Sequence, residues 1–296
     1  MRIGVVVNPI SGRTGARLGA RRAETAIAIL TRLNVHADVS VTARAGHAQE
    51  IARAFVTAGC DRVVAWGGDG TVNEVAGAII STNVAMGIVP CGSGDGLARS
   101  LGLHGPTNLL FERALTAEAQ RVDVGYLGER HFLNIAGIGF DAAVAAAFNS
   151  RGKRGLTDYV RNLLTMVWSH KPARYRLVID GEATDQARFL VAFANGREYG
   201  NRMVLAPAAD PSDGWLDVVL VDAGSPVRQL WRARRLAIGH GKPAQGVSWG
   251  RCRAASVSGE RLQCHVDGES FETSGTLDVR IAPGAIRIAG AGSPRG

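Results

Sequence analysis

The 296-residue sequence predicts an α/β N-terminal domain with a parallel sheet, followed by a β-sandwich-like C-terminal domain. Up to a boundary near residue 125, short apolar runs alternate with amphipathic stretches, the pattern of a parallel sheet covered by helices. Three of those runs end in turn-rich or glycine-rich loops, at Asn8, Gly67 and Gly92, and ligands of such sheets gather at the carboxyl ends of the strands. From about Arg121 short strands separated by turn signals predominate, as in an antiparallel sandwich. The expected domains are therefore 1–125 and 126–296, with the last residues free to pack back on the first.

Arg2 to Asn8 reads as a valine-rich strand that runs into Asn8-Pro9-Ile10-Ser11-Gly12-Arg13. This loop offers an Asn-Pro turn, a hydroxyl, a glycine and a cation, which suit the phosphates or sugar of a nucleotide. The same residues also make a good turn with no ligand. A Gly-x-x-x-x-Gly-Lys-Ser/Thr loop is absent from the sequence. Residues 16–33 are expected to be helical, Ala37 to Thr42 a strand, and Ala48 to Ala58 an amphipathic helix.

Val63 to Trp66 is a buried-strand run that stops at Gly67-Gly68, and a helix opens at Thr71 with apolar residues Val72, Val75, Ala76, Ile79 and Ile80 at helical spacing. Thr71 and Glu74 have the spacing of a capping box. Glycines before a helix N-terminus let backbone N–H groups approach phosphate oxygens. Asp69, inside this turn, would repel a bare phosphate, so it points to a bridging Mg2+. An ordinary strand–helix turn, with Asp69 bonded to local backbone, is the alternative. Ala85 to Val89 is a further strand, ending in Pro90-Cys91-Gly92-Ser93-Gly94-Asp95-Gly96.

The second half offers strands at Val122–Leu127, His131–Ile135, Tyr175–Ile179, Arg188–Ala194, Trp215–Val221, Ala255–Val257, Leu262–Val266, Leu277–Ile281 and Ile286–Ile288. Helices are expected at Asp141–Phe148, Leu156–Ser169 and Val227–His240. The turn Asp267-Gly268-Glu269 is a common hairpin signal, although a carboxylate such as Glu269 could also accept a proton from an alcohol.

Composition is that of a globular protein, 46% hydrophobic and 20% charged, and a net charge of +8 favours acidic partners. Cys60, Cys91, Cys252 and Cys264 lack metal or redox spacing and read as reduced, buried thiols. No run is long and apolar enough to span a bilayer, and no signal-peptide layout is present, so a cytoplasmic protein is expected. Aromatic–basic interleaving and zinc-finger spacing are missing, which argues against nucleic acid as a partner. Gly92-Ser93-Gly94 is not the Gly-x-Ser-x-Gly of a serine hydrolase.

Asn8-Pro9-x-Ser11-Gly12, Gly67-Gly68-Asp69-Gly70-Thr71-x-Asn73-Glu74 and Pro90-x-Gly92-Ser93-Gly94 resemble, in order, the N-terminal motifs of the diacylglycerol kinase catalytic family. That family includes sphingoid-base and ceramide kinases. Ala136-Gly137-Ile138-Gly139-Phe140-Asp141, Asp213-Gly214-Trp215-Leu216-Asp217 and Asp267-Gly268-Glu269 resemble its C-terminal motifs. The resemblance spans nearly the full chain. It implies an α/β nucleotide-binding domain like that of NAD and diacylglycerol kinases, a β-rich lipid-substrate domain, and a Mg2+-dependent transfer of phosphate from ATP to a lipid hydroxyl. By the same resemblance Asn8, Pro9, Ser11, Gly12, Thr42, Gly67, Gly68, Asp69, Gly70, Thr71, Asn73 and Ser93 would contact ATP. Glu269 would be the general base, and Asp69 would lie beside the Mg2+ that travels with ATP. Asp213, with backbone oxygens of Asp210 and Trp215, would hold a structural Mg2+. Gly92-Ser93-Gly94 is closer to the sphingoid-base branch, which leaves the acceptor lipid open. An NAD kinase shares the Gly-Gly-Asp-Gly turn and is the rival enzyme, and a non-catalytic basic protein that binds lipid or nucleic acid is the rival of another class.

A lipid kinase works at membranes in phospholipid biosynthesis, so peripheral, transient contact with an anionic membrane surface is expected, with a homodimer left open. Val227–His240 combines Val227, Leu230, Trp231, Ala237 and Ile238 with Arg228, Arg232, Arg234 and Arg235, and suits such a surface. A second candidate is Arg151-Gly152-Lys153-Arg154 beside Tyr159, Leu163, Met166 and Trp168. Packing of either apolar stripe into the core is the plainer alternative.

Overall fold

The valine-rich runs of the N-terminal part pair side by side as a parallel sheet. The computed structural model describes residues 1–12, 15–92, 94–149, 164–200, 203–237 and 245–292. The chain divides into two units, Met1–Val124 with the residues from Pro283 onward, and Gly125–Ala282.

In the first unit the elements run β1 (Ile3–Val7), α1 (Gly15–Arg32), β2 (Ala37–Val41), α2 (His47–Thr57), β3 (Arg62–Gly67), α3 (Asp69–Ile79), β4 (Ala85–Pro90), α4 (Gly96–Ser100) and α5 (Thr107–Thr116). The strand order is β2-β1-β3-β4, all parallel. Val7 lies beside both Val41 and Trp66, and Gly67 beside Pro90, so the carboxyl ends of the strands finish level. Both faces are covered, which is why β1 and β3 are buried at every position and read as unbroken apolar runs. Val5, Val64 and Trp66 pack against Ala26 and Leu30 of α1 and Phe111 and Leu115 of α5. On the other face Gly4 touches Phe55 of α2, where a Cβ would enter the ring.

The second unit is antiparallel. Its elements are β6 (Arg130–Phe132), β7 (Ile135–Gly139), α6 (Phe140–Asn149), β8 (Ala173–Ile179), β9 (Glu182–Ala194), β10 (Glu198–Gly200), β11 (Met203–Val204), β12 (Leu216–Asp222), α7 (Pro226–Ala237), β13 (Val247–Cys252), β14 (Ala254–Val266) and the part of β15 (Glu269–Ala289) before Pro283. The strand before them, β5 (Ala119–Leu127), ends in a hairpin with β6. The order is β13-β12-β9-β7-β14-β15, and β8 also pairs with β9 and β14. Alternate side chains feed two cores. Val191, Phe193, Leu216 and Val218 enter one cluster, while Ala192, Ala194, Val219 and Val221 enter the other.

Several elements differ from expectation for identifiable reasons. The capping box is not made: α3 starts at Asp69, Gly68 is its N-cap, and no side chain caps it. Glu74 instead reaches α2, where its carboxylate accepts from Gly46 N (2.8 Å) and Ala48 N (3.0 Å). The expected strand His131–Ile135 is two strands, β6 and β7. Ala255–Val257 and Leu262–Val266 are one strand with a register shift after Gly259. Leu277–Ile281 and Ile286–Ile288 are likewise both in β15. Between them Gly284 takes φ +58° and its N–H donates to Asp123 Oδ1 at 2.7 Å. Helices α4 and α5 and strands β10, β11 and β13 were not anticipated. Of the expected helix Leu156–Ser169, residues 164–169 are helical and the remainder lies outside the described residues, as do Arg151 to Arg154, Tyr159, Leu163 and residues 238–240.

Candidate functional site

Three loops of the first unit meet where β1, β3 and β4 end. Asn8 follows β1 and donates from Nδ2 to Thr71 Oγ1 on α3 (2.8 Å), while its Oδ1 accepts from Ile10 N (3.0 Å). Pro9 lies within this turn. Ser11 Oγ lies 3.0 Å from Cys91 Sγ in the third loop. Gly12 takes φ +79° against the Cys91 carbonyl, with which a Cβ would collide. Gly68 and Gly92 face one another, a Cβ on Gly68 coming within 3.2 Å of Gly92 Cα. Asp95 N donates to Asp69 Oδ2 (2.9 Å), joining the third loop to the start of α3.

These contacts leave little choice of residue. A side chain on Gly67 would strike Thr71, and one on Gly92 would meet Asp95 Oδ1 at 2.7 Å. Asp95 is held in the left-handed region, φ 50°, by its own Oδ1 accepting from Gly92 N (2.9 Å). Burial pushes its carboxyl above the ordinary aspartate value, against the Gly92 hydrogen bond and the nearby Arg99 charge. Burial likewise raises the Cys91 thiol. Thr42 stands at the end of β2, its N–H donating to the Val7 carbonyl (2.9 Å). Asn73 is buried on α3, about one turn after the helix start at Asp69. Ser93 lies outside the described residues, as does Arg13. Arg22, one of several arginines in or near α1, carries no motif that marks it in the sequence. Its guanidinium donates to the carbonyls of Asn8 (2.7 Å) and Ser11 (2.7 Å) and to Ser11 Oγ (2.9 Å).

In the second unit, Asp267-Gly268 forms a two-residue hairpin turn between Val266 and Glu269, with φ +48° and +88°. The Asp267 carboxylate accepts three backbone hydrogen bonds, from Leu133 N (2.8 Å), Asn134 N (2.9 Å) and Ile135 N (3.0 Å). Asp267 therefore shapes the turn. Glu269 follows it, exposed at the first position of β15.

Beneath the turn lies a buried polar network. His265 Nδ1 accepts from Gly268 N (3.3 Å), so Nε2 carries the hydrogen that Asp141 Oδ2 accepts at 2.8 Å. Tyr199 Oη is 3.0 Å from the same nitrogen. Asp141 sits in the first turn of α6, and Gly137 pairs with His265 across the sheet. A Cβ on Gly137 would collide with the Asp141 carboxylate. The Gly137–Asp141 motif was visible in the sequence, but its partner 124 residues away was not. Cys264 points the other way, into the core.

The turn before β12 is rich in oxygen. Asp210 Oδ1 accepts from Ser212 N (3.0 Å) and Oγ (2.6 Å), and Asp213 Oδ1 accepts from Trp215 N (3.0 Å). Asp213 also pairs with Arg251. Asp217 is buried, its Oδ2 has no hydrogen-bond partner among the described residues, and Arg251 Nε is 4.0 Å away. Burial pushes its carboxyl up to about 6, with Arg251 opposing and Asp213 adding to the shift. Two carboxylates thus share one guanidinium. Among the described residues no group of three or more His, Cys, Asp and Glu forms a metal cluster, and no helix is long and apolar enough to cross a membrane.

Two family profiles match the chain in succession. A family profile described as the diacylglycerol kinase catalytic domain matches residues 2–127. A second, described as the YegS C-terminal NAD kinase beta sandwich-like domain, matches residues 134–290. A Chromohalobacter salexigens protein named "Probable lipid kinase YegS-like" is 35% identical over 66% of this chain, a stretch that spans 65% of that relative. A Mycobacterium tuberculosis diacylglycerol kinase is 28% identical over 97% of this chain and 94% of its own length. In structure, a diacylglycerol kinase from Bacillus anthracis superposes with a TM-score of 0.74 at 18% identity, covering 97% of this chain and 96% of that one.

Proposed function

The chain belongs to the diacylglycerol kinase catalytic family, and from that premise we propose that it is a Mg2+-dependent lipid kinase that moves the γ-phosphoryl group of ATP onto a lipid hydroxyl. The acceptor would be of the diacylglycerol or sphingoid-base type. The observation that carries the reading is the meeting of the loops at Asn8, Gly68 and Gly92 where β1, β3 and β4 end. Phosphoryl transfer demands positioning and charge neutralisation more than covalent chemistry from the protein.

On this reading the backbone N–H groups at the start of α3 bind phosphate oxygens. Asn8, Pro9, Ser11, Gly12 and Thr42 flank the nucleotide, and Gly67, Gly68, Gly70, Thr71 and Asn73 form the phosphate turn, with Ser93 nearby in sequence. A bound Mg2+ neutralises phosphate charge, and Asp69 is the carboxylate of the turn suited to hold it. Asp213, with the carbonyls of Asp210 and Trp215, would hold a second, structural Mg2+. Glu269 accepts the proton of the attacking hydroxyl, an effect of about 10²–10⁴-fold.

The test is incubation with labelled ATP and Mg2+ against diacylglycerol, sphingoid bases, ceramide and polyprenol. One labelled lipid product is expected. Glu269→Ala should lower turnover by about 10²–10⁴-fold with ATP binding retained, because an exposed side chain at a hairpin is not needed for folding. Asp69→Asn should abolish turnover. Label on NAD, or on no lipid at all, would overturn the reading.

A further inference from the structure

A helix that packs on a domain normally turns its apolar stripe inward. Of its large apolar side chains among the described residues, helix α7 turns only Leu230 toward the core and leaves two others outside. Gln229 and Arg232 face inward, 3% and 6% exposed, while Val227 and Trp231 are 66% and 48% exposed. The inward polar pair is held by specific bonds. Gln229 Nε2 donates to the Asp222 carbonyl (2.8 Å), Arg232 Nη1 to the same carbonyl (2.7 Å), and Arg232 Nε to the Gln245 carbonyl (2.9 Å). Rotating the helix to bury Trp231 would strand a guanidinium and uncap two carbonyls, so the orientation is enforced.

The outward face carries Val227 and Trp231 at a spacing of four residues, with Arg228, Arg234 and Arg235 exposed around them. The helix contains no acidic residue. The Arg235 guanidinium lies 5.1 Å from the Trp231 ring centroid, a cation over an aromatic face. We propose that this face of α7 seats on an anionic bilayer surface, with Val227 and Trp231 entering the headgroup boundary and the three arginines meeting lipid phosphates. Tryptophan ringed by arginine is the composition that settles at a membrane interface. A twelve-residue helix is about 18 Å long, and one face of it falls well short of the roughly 800 Å² per partner of a stable protein interface. The proposal goes beyond the kinase reading and draws on none of its site residues.

The test uses the full chain sedimented with vesicles of equimolar phosphatidylglycerol and phosphatidylcholine, against vesicles of phosphatidylcholine alone. Binding to the anionic vesicles is expected, weakening as salt rises. Arg228→Ser, Arg234→Ser and Arg235→Ser should each lower the partition coefficient about five-fold, and the triple variant about a hundred-fold. Trp231→Ala should lower it on the order of ten-fold. Turnover on lipid dispersed in detergent micelles should match the parent in every variant, which separates failure of this surface from failure of the kinase reading. Equal binding by the triple variant, or equal binding to phosphatidylcholine vesicles, overturns the proposal. So does a parent dimer that Trp231→Ala converts to monomer while vesicle binding is unchanged, or capture of a DNA oligonucleotide in place of vesicles.

Discussion

Asp267→Asn tests how the carboxylate turn is held, because it keeps shape and removes charge. The aspartate accepts from Asn134 N and Ile135 N at Oδ1 and from Leu133 N at Oδ2. Asparagine can keep one oxygen toward the first pair, but its NH2 group must then face the Leu133 N–H, donor against donor. One charge-assisted bond is lost outright and the other two are weakened, each such bond being worth about 1.5–3 kcal/mol. The expected loss is about 3 kcal/mol, and at about 2–4 °C per kcal/mol for a unit of this size the melting temperature should fall by about 6–12 °C. Glu269 follows this turn directly, so turnover should also fall at least ten-fold, by about 1.4 kcal/mol or more in the barrier, while KM for ATP holds. Thermal melts by circular dichroism and steady-state kinetics on one preparation read both effects. A variant that melts within about 1 °C of the parent and turns over normally would refute the reasoning, since the three N–H groups would then be satisfied without the charge.

Three further outcomes follow from the contacts. Gly12→Ala should raise KM for ATP at least about ten-fold, because its Cβ would force the first and third loops apart; Gly59→Ala, with a similar φ of +77° but nothing within 4 Å, should cost only about 1–2 kcal/mol of stability and leave KM alone. Glu74→Ala should lower stability by about 1–2 kcal/mol in a urea melt by uncapping α2, with kcat/KM unchanged; a raised KM for ATP would instead put Glu74 in the nucleotide site. Mg2+ without nucleotide should raise the melting temperature of the parent, as any ligand of the native state does, and Asp213→Asn should remove that rise.

The parts that were legible in the sequence are those set by neighbours in the chain. Ile3–Val7 and Arg62–Gly67 are buried on both faces, so their apolar runs announced a covered parallel sheet. Glycines at positions 12, 67 and 92 announced close approach of backbone, which the Cys91, Thr71 and Asp95 contacts explain. What escaped is set across distance. Thr71 and Glu74 have capping-box spacing, yet Thr71 Oγ1 is engaged by Asn8 and the Glu74 carboxylate leaves its own helix for α2. Spacing fixes which residues are neighbours and says nothing of a better donor 28 positions away.

Helix α7 sharpens the point. Its periodicity groups Leu230 with Val227 and Trp231 and Arg232 with the other arginines, whereas Leu230 packs on the core and Arg232 turns inward, because periodicity has no term for which face turns inward. That choice is made by unpaired carbonyls at Asp222 and Gln245, which need donors that Gln229 and Arg232 supply and Trp231 can supply at most once. Satisfying buried backbone therefore outweighs burying one tryptophan, and Val227 and Trp231 are left facing outward. Where polar satisfaction and hydrophobic burial compete for the same helix face, the losing side becomes the surface available to a partner. For α7 that surface is apolar and cationic together.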